Sequence, residues 1–379
     1  MGTPHAPRAV IVGGSLAGLF AANALRAAGW RVDVFERSAH RLQGRGGGLV
    51  IQPDVLDAMD HAAIPRAMLG VRSDDRIVLD ARGEVIYRAY QPQIQTSWSM
   101  LYSRLHDALP ANVIHPGEQL ARFTQRDAEV ACEFESGRTE AADLLVGADG
   151  ARSAVRAVIA PGVAPRYAGY LAWRGLIPEL AVPASAARQL DGAFVFQEGE
   201  QHQMLAYRVP GEDNSLAPEK RRWNWVWFRK VAAGGALKHL LVDRDGVAHD
   251  QAIPPGAVKQ SDIDALQSDA KAMLAPSLQG LVLGTAEPFI QTIVDLATPR
   301  MVAGRAVLVG DAAFVPRPHT AGGAARAAAN AMSLARTLRR GTVQVDQGLA
   351  NWNAEQMRFG RSLVATGIAM GNRIMGGAA

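Results

Sequence analysis

The chain has 379 residues, enough for two packed domains and a large core, and its 48% hydrophobic and 20% charged residues are the balance of a globular protein in water. Its formal net charge of +4 comes from 40 Lys and Arg against 36 Asp and Glu, and the basic residues form no long run, which argues against nucleic acid as a partner. Cys132 is the single cysteine, so an internal disulfide and a cysteine-based metal site are excluded, and no metal is expected.

No apolar run approaches the ~20 residues that span a bilayer. The N-terminus shows no secretory pattern, so a cytoplasmic location is expected.

In chain order, Arg8–Val12 reads as a buried strand running into Gly13-Gly14-Ser15-Leu16-Ala17-Gly18. A helix beginning near Ser15 would offer free backbone N–H groups to a pyrophosphate and end at Gly29. Ser15 replaces the middle glycine of the usual fingerprint and narrows the backbone approach, although its hydroxyl can donate. A second strand, Arg31–Phe35, ends at Glu36 and Arg37, and Glu36 lies where a ribose diol is received, about 20 residues past the glycines. The glycine patch Gly44–Gly48, with Gly46, Gly47 and Gly48 at its end, leads to Leu49-Val50-Ile51.

Residues 54–69 look helical, and 71–99 alternate as strands of a different sheet. A helix over Leu101–Leu109 carries Arg104. Strands at Leu120–Phe123, Ala128–Phe134 and Ala142–Val146 lead to Gly147-Ala148-Asp149-Gly150, followed by Ser153 and Arg156. From about 163 to 295, tryptophan, tyrosine and period-two alternation dominate, which predicts a mainly antiparallel sheet. Trp223, Trp225 and Trp227 alternate and are expected to pack as core. From Arg305, an apolar strand again meets a glycine turn, Gly310-Asp311-Ala312-Ala313, and Gly323–Leu338 is a long alanine-rich helix. The tail 349–374 is an amphipathic helix.

The N-terminal fingerprint, the Gly147–Arg156 motif and Gly310-Asp311-Ala312-Ala313, in that order, resemble the single-component FAD-dependent aromatic hydroxylases, typified by para-hydroxybenzoate hydroxylase. Gly13–Ser15, Tyr167–Tyr170 leading to Trp173-Arg174-Gly175, and Pro316-Arg317-Pro318-His319 are similar to the dihydroxypyridine hydroxylase group of that family. The resemblance implies an α/β fold: a discontinuous Rossmann-like FAD domain (1–70, 100–162, 296–345), an α+β substrate domain (71–99, 163–295), and a C-terminal helical segment (346–379). It implies FAD as cofactor, NADPH or NADH as transient co-substrate, and O2 and a small aromatic or heterocyclic substrate as partners. A homodimer is compatible with it. Oxygen would pass to the ring through a flavin C4a-hydroperoxide.

By the same resemblance, Gly13, Gly14, Ser15, Leu16, Ala17 and Gly18 would take the pyrophosphate, and Glu36 and Arg37 the adenosine end. Gly46 to Gly48 would pass close to the flavin, and Arg104 would place a charge near it. Asp149 and Gly150 would serve FAD and the nicotinamide. Gly310 and Asp311 would hold the ribityl chain, while Gly322 and Gly323 would aim a helix N-terminus at the flavin ring. Pro318 and His319 would meet both flavin and substrate; His319 and Arg174 are the catalytic candidates, and Tyr170, Trp173 and Tyr207 the further substrate candidates. The family's histidine after Gly-Asp-Ala-Ala is Phe314 here, and its asparagine beyond the glycines is Ala325. Two other readings stay open: Baeyer–Villiger oxidation or epoxidation on the same fold, and a non-redox nucleotide-binding protein.

Overall fold

The computed structural model describes residues 6–42, 47–339 and 345–376. A six-stranded sheet runs in the order Val302–Ala303, Ala306–Leu308, Leu144–Gly147, Arg8–Val12, Arg31–Glu36, Ile114–Pro116. All its pairings are parallel except the short Val302–Ala303 edge. The inner strands are continuous apolar runs, as a sheet covered on both faces requires; Ala9–Ile11, Leu144–Val146 and Ala306–Leu308 are 0% exposed. Helices Leu16–Ala27 and Gly323–Thr337 pack against each other over this core.

The second sheet has ten strands, mostly antiparallel, and begins at its middle with Arg166–Pro178 paired to Arg222–Lys230. His202–Val209, Ala193–Gly199, Val71–Leu79, Val85–Ser97 and Gly48–Val50 continue it on one side, and Phe289–Ala297 on the other. Alternation divides its residues between two faces. Leu171, Trp173, Trp223, Trp225 and Trp227 point to one face, where helices Gln260–Met273 and Pro276–Leu283 cover them. Tyr170, Ala172, Val226 and Phe228 point to the other, toward the nucleotide-binding half. The Trp223–Trp227 stripe is thus core, and Trp225 Nε1 donates to Thr285 Oγ1 at 2.8 Å.

Residues 54–69 depart from the helical expectation. The helix spans only Pro53–His61, because Ala63 takes a left-handed φ of 54° and Pro65 follows. Helix Val345–Ile374 wraps back over the molecule, and no described helix is long and apolar enough to cross a membrane.

Replacing a wholly buried tryptophan by alanine leaves a cavity, so Trp225→Ala should lower unfolding free energy by about 3–5 kcal/mol. Urea titration checks this, and unchanged FAD affinity in the folded fraction is expected, since the face it supports is turned from the cleft.

Candidate active site

Three parallel strands end side by side: Val12, Gly147 and Leu308 are aligned in register. Each is followed by a glycine in the left-handed region, Gly13 at φ 107°, Gly150 at 76° and Gly310 at 60°. These turns open a cleft of about 630 Å³ at the carboxyl edge of the sheet, where nucleotides bind in open α/β folds. It runs from Glu36 and Arg37, past Gly13, Ser15, Leu16 and Ala17, to Asp149, Gly150, Asp311 and Gly323, and on to Gly47, Arg174 and Gln291.

Not every glycine of the fingerprint faces the cleft. A Cβ on Gly18 would strike the Gly13 carbonyl, so Gly18 sets the helix against the strand end. Gly14 is buried, and its N–H donates to Glu36 Oε2 at 2.8 Å. Glu36 Oε1 accepts from Ser38 N, also at 2.8 Å, so the carboxylate is pinned at the cleft wall with lone pairs left for a diol. Helix Leu16–Ala27 has no acidic residue in its first turn, and Ser15 makes no side-chain cap. Its positive end is therefore uncompensated and faces the cleft at Leu16 and Ala17. Helix Gly323–Thr337 shows the same pair of features beyond its N-cap residue, Gly322.

Asp149 Oδ2 accepts the N–H of Ala154 at 2.7 Å and of Val155 at 3.3 Å, while Oδ1 is buried with no partner among the described residues. Burial pushes its carboxyl above the usual range. An unpaired buried acceptor, a half-exposed Asp311, two open helix N-termini and a diol-sized carboxylate fit the donors and anions of a flavin dinucleotide.

At the far end, Arg174 donates to Gln291 Oε1 at 3.1 Å, and its Nε is buried without a partner among the described residues. A Cβ on Gly47 would collide with that guanidinium and lie 2.6 Å from Asn224 Oδ1. Asn224 is 0% exposed, accepts the N–H of Gly48 at 2.7 Å, and has no described partner for Nδ2. Tyr207 pairs with Asn224 across the strands, is buried beneath Gly48, and has its phenol pushed up to about 12 by burial. Gly46 lies outside the described residues.

His319 and Pro318 stand on a short 3₁₀ turn that does not line the cleft. His319 packs on Phe228, with ring centroids 4.6 Å apart, and its Nε2 is 2.8 Å from the Tyr170 hydroxyl. Its Nδ1 is buried with no partner among the described residues. Burial, aided by the Arg317 charge, lowers its pKa to about 4. Arg317 donates to Asp295 through Nε and Nη2, each at 2.8 Å, and to Asn372 Oδ1 through Nη1 at 2.9 Å. Tyr170, Ala172 and Arg174 alternate onto one face, so His319 and Arg174 stand over the same sheet surface, ~13 Å apart along the strand.

Two expectations are corrected. Trp173 belongs to the core on the opposite face, because it is one residue out of phase with Arg174. Arg104 lies away from the cleft, in a separate depression with Ile64, Pro65, Ser103 and Asn214. It sits six positions after Trp98, which does line the cleft, and six residues turn a helix through about 240°. Tyr102, one turn after Trp98, stacks on it at 4.8 Å instead. Sequence reasoning also passed over Asn224, Asn330 and Arg326. Their one signal was a polar side chain inside an otherwise apolar run.

The chain as a whole matches known proteins. Residues 7–169 match a family model described as FAD binding domain, and 167–295 one described as FAD binding domain-like. The chain is 30% identical over 376 residues to 2,6-dihydroxypyridine 3-monooxygenase of Paenarthrobacter nicotinovorans, covering 99% of this chain and 93% of that one. It is 27% identical over 349 residues to 6-hydroxynicotinate 3-monooxygenase of Pseudomonas fluorescens, with 88% and 83% covered. The solved structure of 2,6-dihydroxypyridine-3-hydroxylase from Arthrobacter nicotinovorans superposes with a TM-score of 0.92 at 30% identity, covering 100% of this chain and 95% of that one. Klebsiella pneumoniae HpxO complexed with FAD and uric acid shares the fold, with a TM-score of 0.78 at 22% identity and 98% and 89% covered. The protein belongs to the single-component FAD-dependent hydroxylase family.

Two expectations follow. Glu36→Ala removes a charge-assisted acceptor and should weaken FAD binding by about 1.5–3 kcal/mol, measured by flavin fluorescence. His319 stays neutral in the folded chain down to pH 4 but takes a proton below about 6.5 when unfolded, so its contribution to stability is lost as pH falls through that window. Relative to wild type, His319→Gln should reduce the acid loss of unfolding free energy between pH 6.5 and 4 by on the order of 2 kcal/mol, read by urea titration.

Proposed function

We propose that the protein is an FAD-dependent monooxygenase that uses NAD(P)H and dioxygen to hydroxylate a small electron-rich aromatic or N-heteroaromatic ring of the hydroxypyridine kind. The observation that carries this reading is the pairing of a dinucleotide-sized cleft with a buried sheet face whose unpaired polar atoms converge at its end, Arg174 Nε and Asn224 Nδ2. Two relatives matched over most of the chain act on hydroxylated pyridines, by their names.

Bound FAD would supply hydride acceptance from NAD(P)H and oxygen activation. The chain's own residues do the rest. The first-turn N–H groups near Ser15, Leu16 and Ala17 would hold the pyrophosphate, Glu36 and Arg37 the adenosine end, and Asp149 and Asp311 the polar groups between that end and the ring. Arg174 and Asn224 are donors, so they would receive a ring oxygen and favour its ionised form, which makes the ring more electron-rich. Val226, Phe228 and Ile293 cover the face and exclude water.

His319 is better suited to orienting the substrate than to deprotonating it, since a group with a pKa near 4 is a poor base at neutral pH. Its Nδ1 would donate or accept one hydrogen bond, with the tautomer fixed by Tyr170.

The purified protein should carry FAD and oxidise NADH or NADPH faster with hydroxypyridines present, with one oxygen atom added to the product by mass. Ester formation from cyclic ketones, with no hydroxypyridine turnover, would overturn the reading. His319→Gln should keep FAD yet yield less product per NAD(P)H consumed, with a loss of roughly tenfold or more in hydroxylation rate. Normal coupling in the folded variant would remove His319 from the mechanism.

A further inference from the structure

Arg326 lies one turn inside helix Gly323–Thr337 and is 0% exposed. A buried guanidinium is costly unless it is paired and hydrogen-bonded. One of its nitrogens donates to the Gly310 carbonyl at 2.7 Å and another to Asp311 Oδ1 at 2.9 Å. Its Nε has no partner among the described residues. Asn330, four positions on and therefore on the same helix face, accepts the N–H of Gly310 at 3.2 Å. Asn330 is itself held by Gln356 at 2.7 Å. One helix thus grips the Gly310 residue by its N–H and its carbonyl, and ties the next side chain as well.

Asp311 is the exposed member of this arrangement. Its side chain is 54% exposed and lines the cleft, whereas Arg326 does not reach the cleft at all. A carboxylate at a cleft lip has free rotation about its side-chain bonds. With Oδ1 anchored by Arg326, Oδ2 accepts no described hydrogen bond on this half-exposed side chain.

We propose that Arg326 is a positioning residue for the flavin, which anchors Asp311 toward the cleft and balances its charge under the flavin-binding end. The proposal rests on the reading that this cleft takes FAD. Two opposite charges 2.9 Å apart nearly cancel at longer range, but either one alone leaves a net field on the bound ring. Negative charge beside a flavin opposes its reduction, and positive charge favours it.

The test uses the full chain reconstituted with FAD, with FAD dissociation constants from flavin fluorescence and midpoint potentials at saturating FAD. Arg326→Gln should weaken FAD binding roughly tenfold or more, as for a lost charge-assisted bond, whereas Arg326→Lys should stay within about threefold of wild type. The midpoint potential should move negative in Arg326→Gln and positive in Asp311→Asn, and return toward the wild-type value in the double variant. A merely structural arginine predicts no such opposite signs. Equal FAD affinity for the Lys and Gln variants, or potentials that move in the same direction, would overturn the proposal. If Arg326→Gln does not fold, Arg326→Lys and Asp311→Asn carry the test, and a potential that fails to rise in Asp311→Asn overturns it. A wild-type protein that takes up no FAD would sink the functional reading itself; a yellow wild type with indifferent variants would sink only the role of Arg326.

Discussion

The structure depends on three parallel strand ends meeting at one edge of a sheet. Val12, Gly147 and Leu308 come from segments about 135 and 160 residues apart in sequence, yet hydrogen bonding holds them in register. Each chain must then turn sharply without colliding with its neighbour. At Gly13 a Cβ would strike the Ala148 carbonyl, and at Gly310 it would lie 2.5 Å from the Ala17 Cβ. Close backbone approach and positive φ coincide, and only glycine satisfies both. The cleft is the space these turns leave.

Charge is then distributed around that space by backbone as much as by side chains. The helices after Ser15 and Gly322 present uncompensated positive ends. Glu36 is spent partly on the Gly14 and Ser38 N–H groups, so its first task is to fix the shape of the glycine turn. Asp149 and Asp311 differ in the same way: one is pinned by the start of the helix Ala154–Ile159, the other by a buried arginine. In each case one carboxylate oxygen is anchored in the protein and the other accepts no described hydrogen bond.

The ten-stranded sheet supplies the second wall, and its two faces have different duties. The tryptophan face is closed by helices and gives rigidity. The opposite face carries Tyr170, Tyr207, Arg174 and Asn224, and of these Arg174 Nε and Asn224 Nδ2 are buried without a partner among the described residues. Unpaired buried donors cost stability, and proteins keep them where a ligand completes the bonds. Gly47 and Gly48 allow the strand above to lie directly on these side chains.

The sequence by itself determined the fold class, the order of the three nucleotide motifs, the mainly antiparallel sheet within 163–295 and the core status of Trp223, Trp225 and Trp227. Those features are local: a glycine turn after an apolar strand, or a period of two, is written in neighbouring residues. It also marked Asp149, Asp311 and Glu36 by their motifs, and all three line the cleft. Only tertiary structure decided the facing of residues on regular elements. Trp173 and Arg174 are adjacent in sequence but lie on opposite sides of a sheet, and Arg104 turned out to be on the face of its helix away from Trp98. Arg326 and Asn330 were hidden in an alanine-rich helix, because their partners, Gly310 and Asp311, lie across a turn and packing alone sets which side of the helix meets them. Phase around a helix or strand fixes which residues share a face; the neighbour that face meets is a property of the assembled core.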